Sequence, residues 1–208
     1  MIPSFIKEYI LPKEIDFLTA MQKHSLIIKK LTANLYKCFI DGNSSACGRI
    51  LEEQKEAVSI RDENMKNLLN TFITPIDKES IYRVTTQLDW IAISIKHFML
   101  EAQAYGVFQL ENTFAELLKL LQLQAQLLYA GFKTVKSDPV NTAKNAQRVR
   151  DNYDQLVALY INAMAALAKL EHNQANFAKR ELLAQIKDIS KRMRVTANYL
   201  EDTIMKMS

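Results

Sequence analysis

The chain has 208 residues, 49% hydrophobic and 24% charged, with 27 Lys and Arg against 23 Asp and Glu, for a net charge of +4. That length suits one domain with a sizeable core, burying about 70% of the unfolded surface. The charge is too mild for a dedicated nucleic-acid binder, which carries a stronger basic stripe. Four glycines and four prolines are too few for the turns of a β-sandwich or barrel and point to long, uninterrupted helices.

Cys38 and Cys47 offer neither metal-ligand spacing nor a disulfide framework, so a reducing compartment is the default. Residues 1–17 mix Lys7, Glu8, Lys13, Glu14 and Asp16 with apolar side chains and lack the apolar run and cleavage site of a signal peptide. The longest charge-free apolar stretches, residues 120–132 and 155–168, fall short of the roughly 20 residues that span a bilayer. The expected location is cytoplasmic, with peripheral attachment to a membrane left open.

The glycines and prolines divide the chain into six predicted helices. The first, from about residue 13 to 39, places Phe17, Met21, Ile28, Leu31 and Leu35 on one face. The second follows the DGNSS turn, from about 45 to 71, and is weakly patterned, because Gln54 and Arg61 stand where its stripe should continue. Pro75 ends it by disfavouring helix at Thr74. The third has the clearest stripe: Ile81, Val84, Leu88, Ile91, Ile95, Phe98 and Ala102 alternate steps of three and four.

Within the junction TFITPIDKES, Asp77 is placed to cap this third helix, and Glu79 suits the positive end of its dipole. Phe72, Ile73 and Ile76 are expected to pack where the two helices meet. The fourth helix, about 111–133, holds Phe114, Leu117, Leu121, Ala125 and Leu128. The fifth starts at Pro139 behind Ser137-Asp138, runs to about 170, and shows Val149, Tyr153, Leu156, Tyr160, Met164 and Leu167. A break at His172-Asn173-Gln174 precedes the sixth, about 176–207, with Leu182, Ile186, Ile189, Met193, Leu200 and Ile204.

Long helices joined by short turns pack antiparallel in a bundle. A shift of about 100 residues sets the stripes of the third and sixth helices in step. The expected fold is all-α: six long antiparallel helices, with pseudo-repeats at about 13–107 and 108–208 in one elongated domain.

The run Leu68-x-x-Thr71-Phe72-Ile73-Thr74-Pro75-Ile76-Asp77-Lys78-Glu79-x-Ile81-Tyr82, followed by Leu88-Asp89 and closing with Leu200-Glu201-Asp202-x-x-x-Lys206, resembles the PhoU-like family of phosphate-transport regulators, of the type encoded beside Pit-type transporters. The resemblance implies two three-helix repeats, a cytoplasmic location and regulation of phosphate uptake. It also implies Glu-x-x-x-Asp pairs, which in relatives bind metal clusters, because carboxylates four apart share a helix face.

This chain departs from that pattern. The pairs fall at Gln54 and Val58, at Asp89 with Trp90 and Ile93, at Arg150 and Asp154, and at Lys187 and Lys191 with Arg194 following. Asp89 and Asp154 are weak remnants. A unit charge 4 Å away contributes about 4 kcal/mol at an effective dielectric of 20, so the reversals disfavour a multinuclear site, and no metal or other cofactor is expected.

Other constellations read blandly. His24, His97 and His172 have no ligand partner four residues on, and HExxH and phosphate-cradling loops are missing. Glu52, Glu53 and Glu56 read as a solvated face, and Trp90 as extra packing or a partner contact. Lys187, Lys191 and Arg194 share a face and form the candidate anion-binding or partner-binding site. The resulting expectation is a non-enzymatic regulator or adaptor of phosphate uptake. Its expected partner is a Pit-type phosphate transporter or a signalling protein, not a nucleic acid, and a homodimer is left open. The alternative is a metal-binding PhoU-type protein with a remnant multinuclear site.

Overall fold

A computed structural model describes residues 15–171 and 173–207. Among these, the secondary structure is six helices and no strand: α1 (Phe17–Phe39), α2 (Ser44–Asn70), α3 (Lys78–Ala104), α4 (Asn112–Thr134), α5 (Pro139–Ala168) and α6 (Gln174–Met207). The starts follow local chemistry. Helix N-termini leave backbone N–H groups without partners, and short polar side chains satisfy them. Asp16 accepts from the Thr19 N–H at 3.0 Å, Asp77 from Ser80 at 2.8 Å, Asp138 from Asn141 at 3.0 Å and Asn173 from Asn176 at 2.9 Å. The Asn173 cap starts α6 two residues earlier than the spacing predicts, while His172 lies outside the described residues. The predicted first-helix start near residue 13 also lies outside them; α1 begins at Phe17.

Each three-helix unit packs all of its pairs: α1, α2 and α3 touch one another, as do α4, α5 and α6. The units join through α1 against α4 and α3 against α6. The stripes read from the sequence are the seams: Leu31, Leu35, Val84, Leu88, Ile95, Phe98, Leu117, Leu121, Leu182, Ile186 and Met193 are fully buried. At Gly131 the Leu200 side chain of α6 packs directly on the α4 backbone, since a Cβ there would lie 2.7 Å from Leu200 Cδ2.

Two expectations are corrected at the helix turns. At the α2–α3 junction only Ile76 turns inward; Phe72 and Ile73 are 96% and 83% exposed. The turn direction that buries Ile76 and seats Asp77 as a cap carries its two apolar neighbours outward. At the α1–α2 turn, Cys38 and Cys47 form a disulfide, their Cα atoms 5.2 Å apart. Gly42, at φ 67°, takes the left-handed backbone that doubles the chain back there. The pairing counts against the reducing compartment read from the sequence, because disulfides persist in oxidising surroundings.

The bond closes a loop nine residues apart in sequence. In the chain-entropy account such a loop is worth about 2–3 kcal/mol. Reduction, or Cys47→Ser, is therefore expected to lower Tm by about 5–10 °C; calorimetry with and without reductant checks it, and an unchanged Tm contradicts it.

No helix among the described residues is long and apolar enough to cross a membrane.

Candidate functional site

The cations singled out on the sixth helix occupy one seam. Lys187 Nζ lies 4.3 Å from the centroid of the Tyr160 ring, and the Arg194 guanidinium 5.0 Å from that of Tyr153. Both rings belong to α5, so Lys187 and Arg194, two turns apart, face the same neighbour, and the exposed Lys191 falls between them by spacing. Farther along, Arg150 of α5 donates to Glu201 at 2.7 Å and to Asn198 at 3.3 Å. On the opposite flank of α6, Arg192 stacks over the Trp90 ring at 5.3 Å and pairs with Asp188.

A ring face attracts a cation but leaves its formal charge uncancelled. The α5–α6 seam therefore keeps net positive charge at Lys187, Lys191 and Arg194, in a form that a multivalent anion or an acidic peptide can meet. Trp90 is 45% exposed, so it packs under Arg192 and also offers an amphipathic surface.

The positions that the family pattern reserves for carboxylates are scattered. Asp154 is exposed on α5, Gln54 is buried on α2, and Asp89 is buried on α3. Asp89 meets Arg61, with Nε 3.7 Å from Oδ2. Among the described residues no group of three or more His, Cys, Asp or Glu side chains comes together to hold a metal ion. Hard cations are held by clustered carboxylate oxygens, and here Arg150, Lys187 and Lys191 stand at positions where the family pattern has them. The residues present do not fit a multinuclear centre.

Sequence reasoning missed a buried polar node between α1, α2 and α3. His24 is fully buried and neither ring nitrogen has a hydrogen-bond partner. Asn64 Nδ2, Thr85 Oγ1 and Asp89 Oδ1 are likewise buried without one, while Arg61 Nε lies in ion-pair contact with Asp62 at 3.0 Å. Burial, reinforced by the Arg61 charge, drives the His24 pKa down to about 3. Burial also raises the Asp89 pKa, against the opposing pull of Arg61. The weak patterning at Gln54 and Arg61 was the available signal: a stripe interrupted by polar residues marks a polar seam as readily as a poor helix.

The second unit closes its own polar contact. Gln124, 100 residues after His24, donates to the Val149 carbonyl at 3.1 Å and accepts from Ser190 at 2.7 Å. Glu53 departs from its reading as a solvated residue. It accepts from Asn34 at 2.9 Å, and burial raises its pKa, while Glu52 and Glu56 stay exposed.

Over 91% of this chain, the bundle superposes on 99% of a PhoU-like protein from Shewanella oneidensis MR-1, with a TM-score of 0.77 and 14% identity. The chain has the PhoU-like fold. A PhoU-like phosphate regulatory protein from the same organism matches equally, at TM-score 0.76, 13% identity, and 91% and 99% coverage. No family model matches the chain, and no curated protein matches it in sequence. In the PhoU-like bundle, the TFITPIDKES junction is the α2–α3 turn, and the Leu200-Glu201-Asp202-x-x-x-Lys206 ending packs back on it. Lys206 reaches Asp77 at 3.2 Å, Ser80 at 3.0 Å and Asp202 at 2.8 Å. The two sequence signatures are therefore halves of one contact between α3 and α6.

Proposed function

We propose that this protein is a non-enzymatic regulator or adaptor of inorganic phosphate uptake. It acts from the cytoplasm by protein–protein contact with a Pit-type phosphate transporter or a signalling partner. The observation that carries the reading is the end-to-end match of its fold to a PhoU-like phosphate regulatory protein, over 91% of this chain and 99% of that one. The contact surface in this reading is the α5–α6 seam, where Lys187, Lys191 and Arg194 present charge to an acidic loop. The Cys38–Cys47 bond is the one feature that pulls against a cytoplasmic site.

The test is phosphate uptake by cells lacking the gene, together with capture of the transporter by the purified chain. Capture should weaken as salt rises, because exposed charges are screened within about 8 Å at physiological ionic strength. The triple variant Lys187→Glu, Lys191→Glu, Arg194→Glu should reduce it about tenfold or more. Unchanged uptake, or capture indifferent to both salt and the triple variant, defeats the reading. Stoichiometric iron, zinc or manganese in purified protein would favour the metal-binding alternative.

A further inference from the structure

Helix α6 stands between α3 and α5, which do not touch each other, and each of its flanks sets cations on aromatic rings. Toward α5 the rings are Tyr160 and Tyr153, under Lys187 and Arg194. Toward α3 they are Trp90, under Arg192, and Tyr199 of α6 itself, with Arg83 of α3 at 5.7 Å from its centroid. Four of the five cation–ring contacts among the described residues therefore gather on this three-helix face; the fifth, Lys29 with Tyr129, joins α1 to α4. Trp, Tyr and Arg are the residue types that dominate binding energy at protein–protein interfaces.

The cations on this face are of two kinds. Arg83 is paired with Glu79, Arg150 with Glu201 and Arg192 with Asp188. Among the described residues, no ion pair engages Lys187, Lys191 or Arg194. The unpaired charge thus forms a line. In steps of four and three residues, at about 1.5 Å per residue, it spans about 10 Å along α6.

That line selects the occupant. An anionic membrane calls for a broad patch of free cations, and here the surrounding arginines are already neutralised. An inorganic polyanion would meet the line but leave the half-exposed Trp90 ring uncovered on the α3 flank. A helix lying along α6 has the same rise per residue, so carboxylates in steps of three and four on one of its faces meet all three cations together. Apolar residues on its adjoining flank then cover Trp90 and the half-buried Val195, one turn on from Arg192.

Building on the adaptor reading above, we infer that the partner's docking element is an acidic amphipathic helix, which lies along α6 with its carboxylates on Lys187, Lys191 and Arg194 and its apolar flank on Trp90.

Trp90 is the only tryptophan of the chain, so its emission reports the contact directly. The full chain is titrated with a labelled, tryptophan-free synthetic helix of about 20 residues, carrying three glutamates in steps of three and four on one face and leucines on the next. A scrambled peptide of the same composition is the control. The patterned helix should bind at least about tenfold more tightly than the scrambled one and shift the Trp90 emission to the blue. Lys191→Glu, at an exposed position, should weaken it about tenfold by setting like charges together. Equal binding of the two peptides, or binding without a change in Trp90 emission, overturns the inference. So does failure of the patterned helix while long-chain polyphosphate, or phosphatidylcholine–phosphatidylglycerol vesicles, bind through Lys191; the line then serves an inorganic polyanion or a lipid surface. Capture of the transporter through the three cations without binding of the patterned helix overturns the helical docking element and leaves the adaptor reading standing. Binding of the patterned helix as expected, with phosphate uptake unchanged in cells lacking the gene, upholds the docking site and defeats the adaptor reading.

Discussion

Acidifying the protein from pH 7 to pH 4 is expected to remove about 3 kcal/mol of folding stability through His24 alone. The folded-state pKa is about 3 against an ordinary 6.5. The depressed value means that the folded protein keeps the ring neutral while the unfolded chain takes up a proton. The stability difference is therefore absent above pH 6.5 and grows as pH falls, because stability rises with pH wherever the unfolded state binds more protons. Each pH unit in that window costs about 1.4 kcal/mol, and the total is about 4 kcal/mol near pH 3.

Asp89 works in the opposite direction, since its raised pKa lets the folded state accept a proton first and returns some stability in acid. Arg61, between the two, opposes protonation of His24 and favours the Asp89 carboxylate. The decisive comparison is denaturant unfolding of wild type and His24→Leu at pH 7 and pH 4. The variant should lose about 3 kcal/mol less than wild type. At pH 7 it should match or exceed wild-type stability, because it deletes two buried ring nitrogens that have no partner, each of the kind that costs about 1–3 kcal/mol. Parallel losses in the two proteins would show that His24 is solvated or bonded in solution.

The same node shows what the sequence reveals and where it stops. The stripe of α3 was legible because Ile81 to Ala102 keeps a helical period and Asp77 marks its start; the observed helix begins at Lys78 with that cap in place. Helix α2 was legible as a helix but not in its meaning. Arg61 interrupts its apolar face because it meets Asp89 of α3 and carries its charge near His24 of α1, and periodicity within one segment cannot name partners in two others. Tyr153 and Tyr160 read as members of a core stripe, yet they sit half-buried as platforms for Arg194 and Lys187. That role depends on the register of α5 against α6.

Turn geometry was equally hidden. The outward course of Phe72 and Ile73, and the 5.2 Å approach of the Cys38 and Cys47 Cα atoms, follow from how the backbone reverses, which spacing along the chain does not encode. The charge reversals at Lys187, Lys191 and Arg194 were visible directly, since they needed only residue identity and helical spacing.

Phe98→Ala is expected to cost about 3–5 kcal/mol, the usual range for deleting a buried aromatic ring. Phe98 is fully buried on α3, and its ring meets Phe39 of α1 edge to face, with centroids 5.5 Å apart and planes at 90°. That arrangement sets the positive edge of one ring against the negative face of the other and adds about 0.5–1.5 kcal/mol to the burial itself. The site has little freedom to collapse. Phe39 is the last residue of α1, and its neighbour Cys38 is tied to α2 through Cys47, so the backbone cannot easily move inward to fill the void. The loss should therefore fall toward the upper part of the range and lower Tm by about 10 °C or more. Phe108→Ala is the matched control. Its ring is 69% exposed in the loop between α3 and α4, and its truncation should change stability by less than about 0.5 kcal/mol. Urea unfolding of both variants at pH 7 separates the two cases. A Phe98→Ala protein within 1 kcal/mol of wild type would mean that α1 and α3 do not lock together at this ring pair, and the packing described for the first three helices would have to be redrawn.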